Sequence, residues 1–312
     1  MQVNRIQNKV AASSLTLPVA TVLATLGWLA GGGLGDMRRL AAWLLSLGMV
    51  YLLEEMNNRN SLIRVRTRMT AAIYIIMCGC CGFLQTFHAG LLVAPAVLGA
   101  CYLLFCTYQQ YQPVVGTFYL FVSLGLGVLI YPRLIGLVPL FFFCMAAYLR
   151  TFTFRTGKAG WLGLLLPFWF VFAVTYYRQE SDFWIRMWDS LSSVRLPELA
   201  DYAALTIGQR VAWGGLSVFS LIAVIRYLHT NYNDKIRTRM FFYVIILLNL
   251  FVQLYVVFFP QDFSTLFGLL AACSAPLLAH LYALTRTRFI AIVFVCMIGW
   301  LVSLSFLALW MR

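Results

Sequence analysis

Read from its amino terminus, the chain alternates long apolar runs with short polar clusters. Runs almost free of charge fall at 15–34, 40–53, 69–87, 89–106, 114–131, 133–149, 160–177, 211–228, 240–259, 264–284 and 289–310. A helix rises 1.5 Å per residue, so about 20 apolar residues cross a hydrocarbon core of about 30 Å. The pattern therefore predicts an all-α, polytopic transmembrane helical bundle of about 10–11 spans. The run at 40–53 is short for a crossing and reads as a tilted or partly interfacial helix. Turns are short nearly everywhere, so residues 1–312 read as a single integral membrane domain.

The segment at 178–210 is the one substantial hydrophilic stretch and predicts an external loop. Within it Trp184 and Trp188 stand four apart, with Leu191 continuing the same helical face. That spacing predicts an interfacial amphipathic helix, apolar side down on the bilayer or covering an external site.

Composition agrees with lipid as the solvent. Residues of the AVILMFWYC set make up 62% of the 312 positions and charged residues 11%, against about half and a quarter in a soluble domain. The formal charge of +13 sits at the ends of apolar runs and not along one soluble face, which argues against nucleic acid as a partner. Met1 to Ser14 is polar, and the run after it lacks a small-residue cleavage site, so the first span is expected to stay as an anchor.

With the amino terminus cytoplasmic, fifteen of the 23 Lys and Arg residues lie on the cytoplasmic side, and the positive-inside rule favours that orientation. Arg5, Arg64 to Arg68, Arg150, Arg155, Lys235 to Arg239, Arg286 and Arg288 are cytoplasmic under it. Asp36, Arg38, Arg39, Arg186, Arg195 and Arg312 are external.

One string recurs. Val65-Arg66-Thr67-Arg68-Met69, Ile236-Arg237-Thr238-Arg239-Met240 and Thr285-Arg286-Thr287-Arg288-Phe289 each precede an apolar run. Asparagine-rich stretches, Asn57-Asn58-Arg59-Asn60 and Asn231-Tyr232-Asn233-Asp234, precede the first two. These two lie an even number of spans apart, so a duplication behind them would be parallel. A helix amino terminus already carries partial positive charge, which makes arginine there unfavourable unless an anion offsets it. Arginine forks with free N–H groups suit a phosphate. Arg66, Arg68, Arg237, Arg239, Arg286 and Arg288 are therefore the candidate phosphate- or lipid-binding residues, beside the simpler reading that they set topology against anionic lipid heads.

Inside the membrane, Asn249 and Gln253 share a helical face and His280 follows Pro276 by one turn. Polar groups at such depth want partners on neighbouring helices, and helix-to-helix hydrogen bonding is the expected role of all three. No acid or lysine lies deep in a run, which weakens a coupled-transport reading. The eight cysteines lie in or beside apolar runs as small hydrophobes, and no metal or cofactor site is expected. No phosphate loop, dinucleotide turn or HExxH pair is present. Asp36 resembles, in placement only, the acidic base in the first external loop of membrane glycosyltransferases that use polyprenyl-phosphate sugars.

The stretch from Tyr131-Pro132-Arg133 through Pro139 to Tyr148-Leu149-Arg150-Thr151-Phe152, then Gly160 to Pro167, resembles a family of uncharacterised polytopic inner-membrane proteins from Bacteroidota. The family carries an acid after that arginine, where the only charged residues of this chain over 153–158 are basic. The resemblance implies a multi-pass bacterial inner-membrane protein and brings no activity with it.

The sequence thus points to a non-enzymatic protein of envelope biogenesis. It would bind or move a lipid-linked intermediate (polyprenyl phosphate or phospholipid) or scaffold an assembly, with membrane lipids and other envelope-assembly proteins as partners. The alternative is a glycosyltransferase or glycan polymerase acting at the external face through Asp36.

Overall fold

The structure is a computed structural model, described over residues 6–33, 35–179, 182–192 and 197–310. Arg5, Arg195 and Arg312, which entered the orientation argument, lie outside the described residues. Among the described residues the chain is all-α, without a strand. In chain order the helices are α1 (Ile6–Ala12), α2 (Thr16–Ala30), α3 (Met37–Asn60), α4 (Met69–Cys80), α5 (Val93–Cys106), α6 (Val114–Ile130), α7 (Leu137–Cys144), α8 (Phe154–Arg178), α9 (Asp182–Ser192), α10 (Leu199–Ala203), α11 (Ile207–Thr230), α12 (Ile236–Phe258), α13 (Phe263–Leu284) and α14 (Arg288–Trp310).

Every apolar run is helical over most of its length. Seven helical segments are long and apolar enough to cross a membrane, and an eighth results if α1 and α2, bent 96° at their junction, form one broken span. Reaching ten or eleven spans requires α3, α4 and α6 to cross as well. Of these α4 has 12 residues and α6 has 17, while α3 runs for 24 by extending beyond its apolar run into charged ends.

Packing divides the chain into two compact units. The first unit comprises residues 1–91 and 199–312. Its centre is α13, whose apolar window is 100% buried. A helix hydrophobic all round suits that place, because it meets α1, α4, α11, α12 and α14 on its several sides. On α2 and α4, Gly27 and Gly79 let backbones touch: a Cβ on Gly79 would lie 2.6 Å from the Ala24 Cα. Close approach through small residues is how apolar helices gain packing energy where lipid gives no hydrophobic drive.

The second unit is residues 92–198. Here α6 packs against α8 through Gly125 and Gly163, and a Cβ on Gly163 would stand 2.3 Å from the Phe118 carbonyl oxygen. The segment 132–149 is not one regular helix. It opens as a 3₁₀ turn, continues as α7, and widens into a π turn at Met145–Leu149. Arg150 ends it in the left-handed region (φ 55°), and the Thr151 N–H donates back to the Met145 carbonyl at 3.0 Å.

The amphipathic helix expected near Trp184 is α9. Its half-buried residues are Phe183, Trp184, Met187, Ser190 and Leu191, while Trp188 is 71% exposed. The face is thus turned from the expected one toward Met187, because Trp184 Nε1 donates to Thr175 Oγ1 at 2.9 Å and anchors the ring on α8. Trp188 is left outward. Residues 180–181 and 193–196 of the same segment lie outside the described residues.

Candidate functional site

The candidate site is the end of the first unit that carries the repeated arginine turns. Two of those turns interlock. Arg64 Nη1 donates to the Asn233 carbonyl oxygen at 3.3 Å, and Arg237 Nη2 donates to Asn60 Oδ1 at 3.3 Å. Each turn thus offers an arginine to the asparagine-rich stretch of the other.

Their positions on the helices differ. Arg66 and Arg68 precede α4, Arg237 and Arg239 lie within the first turn of α12, and Arg288 is the first residue of α14. The charge at these helix starts is partly met within the protein. Arg68 Nε pairs with Glu54 Oε1 at 3.0 Å, and the Arg237 guanidinium lies 5.2 Å from the Phe241 ring centroid. Arg66 and Arg288 stay exposed, with no hydrogen-bond or ion-pair partner among the described residues. Arg239 has its Nε buried without a hydrogen-bond partner among the described residues.

The third turn, at Arg286, is brought to the same end by α13 and α1. Asn8 Nδ2 donates to the carbonyls of Tyr282 and Ala283, both at 3.1 Å, and Gln7 Nε2 to that of Thr285 at 3.4 Å. The last carbonyls of a helix have no intrahelical partner, and α1 supplies one from another helix.

Asp234 and His280 complete this end. Asp234 Oδ2 lies 2.9 Å from His280 Nε2, with side-chain exposures of 5% and 7%. The imidazole stands edge-on to Tyr227 and Phe242, with ring centroids at 4.9 and 4.7 Å. The Tyr227 hydroxyl is buried without a hydrogen-bond partner among the described residues, within electrostatic reach of Asp234, Tyr243 and Arg239. Sequence spacing treats Asp234 as one more polar turn residue and gives His280 a helix-to-helix role. The structure instead brings the acid in to the histidine. The available signal was a lone histidine one turn from the end of a helix that is otherwise free of charge.

Asn249 and Gln253 form a ladder across three helices. Asn249 Nδ2 donates to Ser274 Oγ at 2.8 Å, and Gln253 Nε2 donates to Ser220 Oγ at 2.7 Å and to Asn249 Oδ1 at 3.0 Å. Ser220 lies on α11, Asn249 and Gln253 on α12, and Ser274 on α13. These contacts tie the three helices together.

A groove of about 610 Å³ runs along the first unit, its α4 lining starting after the first arginine turn. Its floor is one stripe of α4 (Met69, Ala72, Ile73, Ile76, Gly79 and Cys80), and its walls are α2 and α14. Along α4 the lining covers eleven steps, about 17 Å and a little over half of a hydrocarbon core of about 30 Å. The lining is almost wholly apolar and starts at Met69, directly after Arg66-Thr67-Arg68. A lining of this kind suits an apolar ligand better than a polar solute.

At the other end, Asp36 is exposed and serves as the N-cap of α3, one carboxylate oxygen accepting from the Arg38 N–H at 3.1 Å. Glycines beside it seat Arg39: Gly32 has φ +117°, and a Cβ there would collide with the Arg39 guanidinium, which donates to the Gly31 carbonyl. All eight cysteines are free. No family model, curated protein or solved structure matches this chain.

Proposed function

We propose that the protein is a non-enzymatic, multi-pass protein of a bacterial inner membrane, amino terminus cytoplasmic, that binds a phosphate-bearing lipid in the service of envelope biogenesis. One observation carries this reading: an apolar groove of about one leaflet's depth has an α4 floor that begins at Met69, three residues after the exposed Arg66. A lipid laid there puts its chain along α4 and its head at Arg66, where guanidinium hydrogen bonds to phosphate are charge-assisted. The resemblance to inner-membrane proteins of Bacteroidota and the positive-inside balance supply the compartment and the orientation.

The reading is tested by native mass spectrometry of the purified chain. Parent protein is expected to retain a phospholipid. Ile76→Trp, which fills the half-exposed floor, is expected to lose it without loss of fold, and Val19→Trp does the same from the wall. Full lipid retention in both variants refutes the reading.

A further inference from the structure

The groove does not end blindly. Cys80, its last floor residue, also lines a cavity of about 300 Å³ at the opposite end of the unit, into which Arg39 faces with Cys81, Phe83, Thr206 and Leu307. Cys80 and Ser305 hydrogen-bond at the junction. Cavity and groove together follow α14 from Phe294 to Ala308, fourteen steps or about 21 Å. That exceeds the roughly 15 Å of one leaflet.

The cavity differs from the groove in kind. Polar groups contribute a large part of its wall, and Arg39 is its one cation among the described residues. The guanidinium is held in place by its bond to the Gly31 carbonyl and by the space that Gly32 leaves. Glycine is favoured there, since φ +117° strains any other residue and a Cβ would displace the Arg39 guanidinium. The start of α11 also borders the cavity, but Thr206 and Gln209 already cap it, so the cation that remains for a ligand is Arg39.

The geometry points to a second head-group site at Arg39. Its ligand is a phosphate ester of a hydrocarbon chain longer than one leaflet, such as a polyprenyl phosphate, whose chain passes Cys80 into the groove. The site rests on the groove reading above and adds a head position at the opposite mouth. A guanidinium fixed by one carbonyl keeps further donors for phosphate oxygens. A chain anchored at Arg39 must cross the Cys80 junction to fill the groove.

The test adds either long-chain polyprenyl phosphate or phosphatidic acid to the purified full-length protein and reads binding by native mass spectrometry. Arg39→Gln is expected to weaken polyprenyl phosphate by about tenfold and to leave phosphatidic acid unchanged. Arg39→Lys should recover most of the loss. Cys80→Phe, which narrows the junction and leaves Arg39 in place, should weaken the long-chain lipid alone. Unchanged polyprenyl phosphate binding in both Arg39→Gln and Cys80→Phe overturns the second site. Equal loss of both lipids in Arg39→Gln also overturns it, because the arginine then serves a single shared head position. Displacement of the lipid by excess inorganic phosphate in parent and Cys80→Phe alike would mark a free-anion site and overturn the chain's passage. Ile76→Trp separates this inference from the reading beneath it: retention of both lipids there removes the groove itself.

Discussion

Removing Asp234 should destabilise the fold far more than its place in a turn suggests. The carboxylate is the hydrogen-bond partner of His280 Nε2 at 2.9 Å, and both side chains are more than nine-tenths buried. Asp234→Ala leaves a buried imidazole facing Tyr227 and Phe242 with one nitrogen unpaired. Breaking a buried pair by deleting one partner costs about 3–5 kcal/mol, and a single unsatisfied neutral group about 1–3 kcal/mol. A cost of about 3 kcal/mol corresponds to a fall of roughly 6–12 °C in melting midpoint for a domain of this size. His280→Phe keeps the aromatic packing and strands the carboxylate, so it should cost a similar amount. Combining the two removes both polar groups, and the double variant should recover about 2 kcal/mol relative to the sum of the singles. Tryptophan fluorescence during thermal unfolding in detergent measures all four proteins. A midpoint within about 2 °C of the parent for Asp234→Ala, or strict additivity in the cycle, refutes the argument that this pair is a buried fastening.

Cysteine placed by Arg155→Cys or Arg237→Cys should label from the cytoplasm, and by Asp189→Cys from outside; cytoplasmic labelling of position 189 reverses the orientation. Asn249→Leu removes the donor to Ser274 Oγ, which keeps its bond to the Leu270 carbonyl, and one contact of Gln253, and should cost about 0.6–1.7 kcal/mol in unfolding measurements. Gly79→Leu drives a side chain into the backbone of α2 near Ala24, and should cost about 1–3 kcal/mol or more while splaying the α2 wall of the groove. An unchanged melting midpoint in that variant shows that α2 and α4 do not pack through these glycines.

Much of the fold was legible because lipid imposes a one-dimensional rule: backbone groups must be paired within each segment, so apolar length alone announces a helix. All eleven runs from 15–34 to 289–310 obeyed it. What length could not announce is how far a helix outruns its apolar stretch. α3 continues through Glu54, Glu55 and Asn57 to Asn60 because its buried stripe (Ser46, Met49, Leu53, Met56, Asn57 and Asn60) continues at helical spacing through polar residues. The division after Leu91 and before Leu199 was equally hidden. It follows which helix faces meet, and in a chain this uniformly apolar no composition shift marks a boundary.

The site was legible in outline for a different reason. Repetition drew attention to the Arg-Thr-Arg turns, and electrostatics at helix starts supplied a motive for an anion. Yet the partners that decide which arginine is available are remote in sequence: Glu54 occupies Arg68, and Asn60 occupies Arg237, while Arg66 is left exposed. A motif of three identical turns is therefore not three equivalent sites. The same reasoning moves attention from Asp36 to Arg39. The Gly31-Gly32-Gly33 string reads as a loop around an acid, but the acid caps its own helix and the glycine accommodates the arginine. Glycine carries no chemistry to search for, and its role appears only when the side chain that needs its space is seen. Together these placements put Arg39 in the wall of a cavity that Cys80 shares with the apolar groove, whose α4 floor begins three residues after the exposed Arg66.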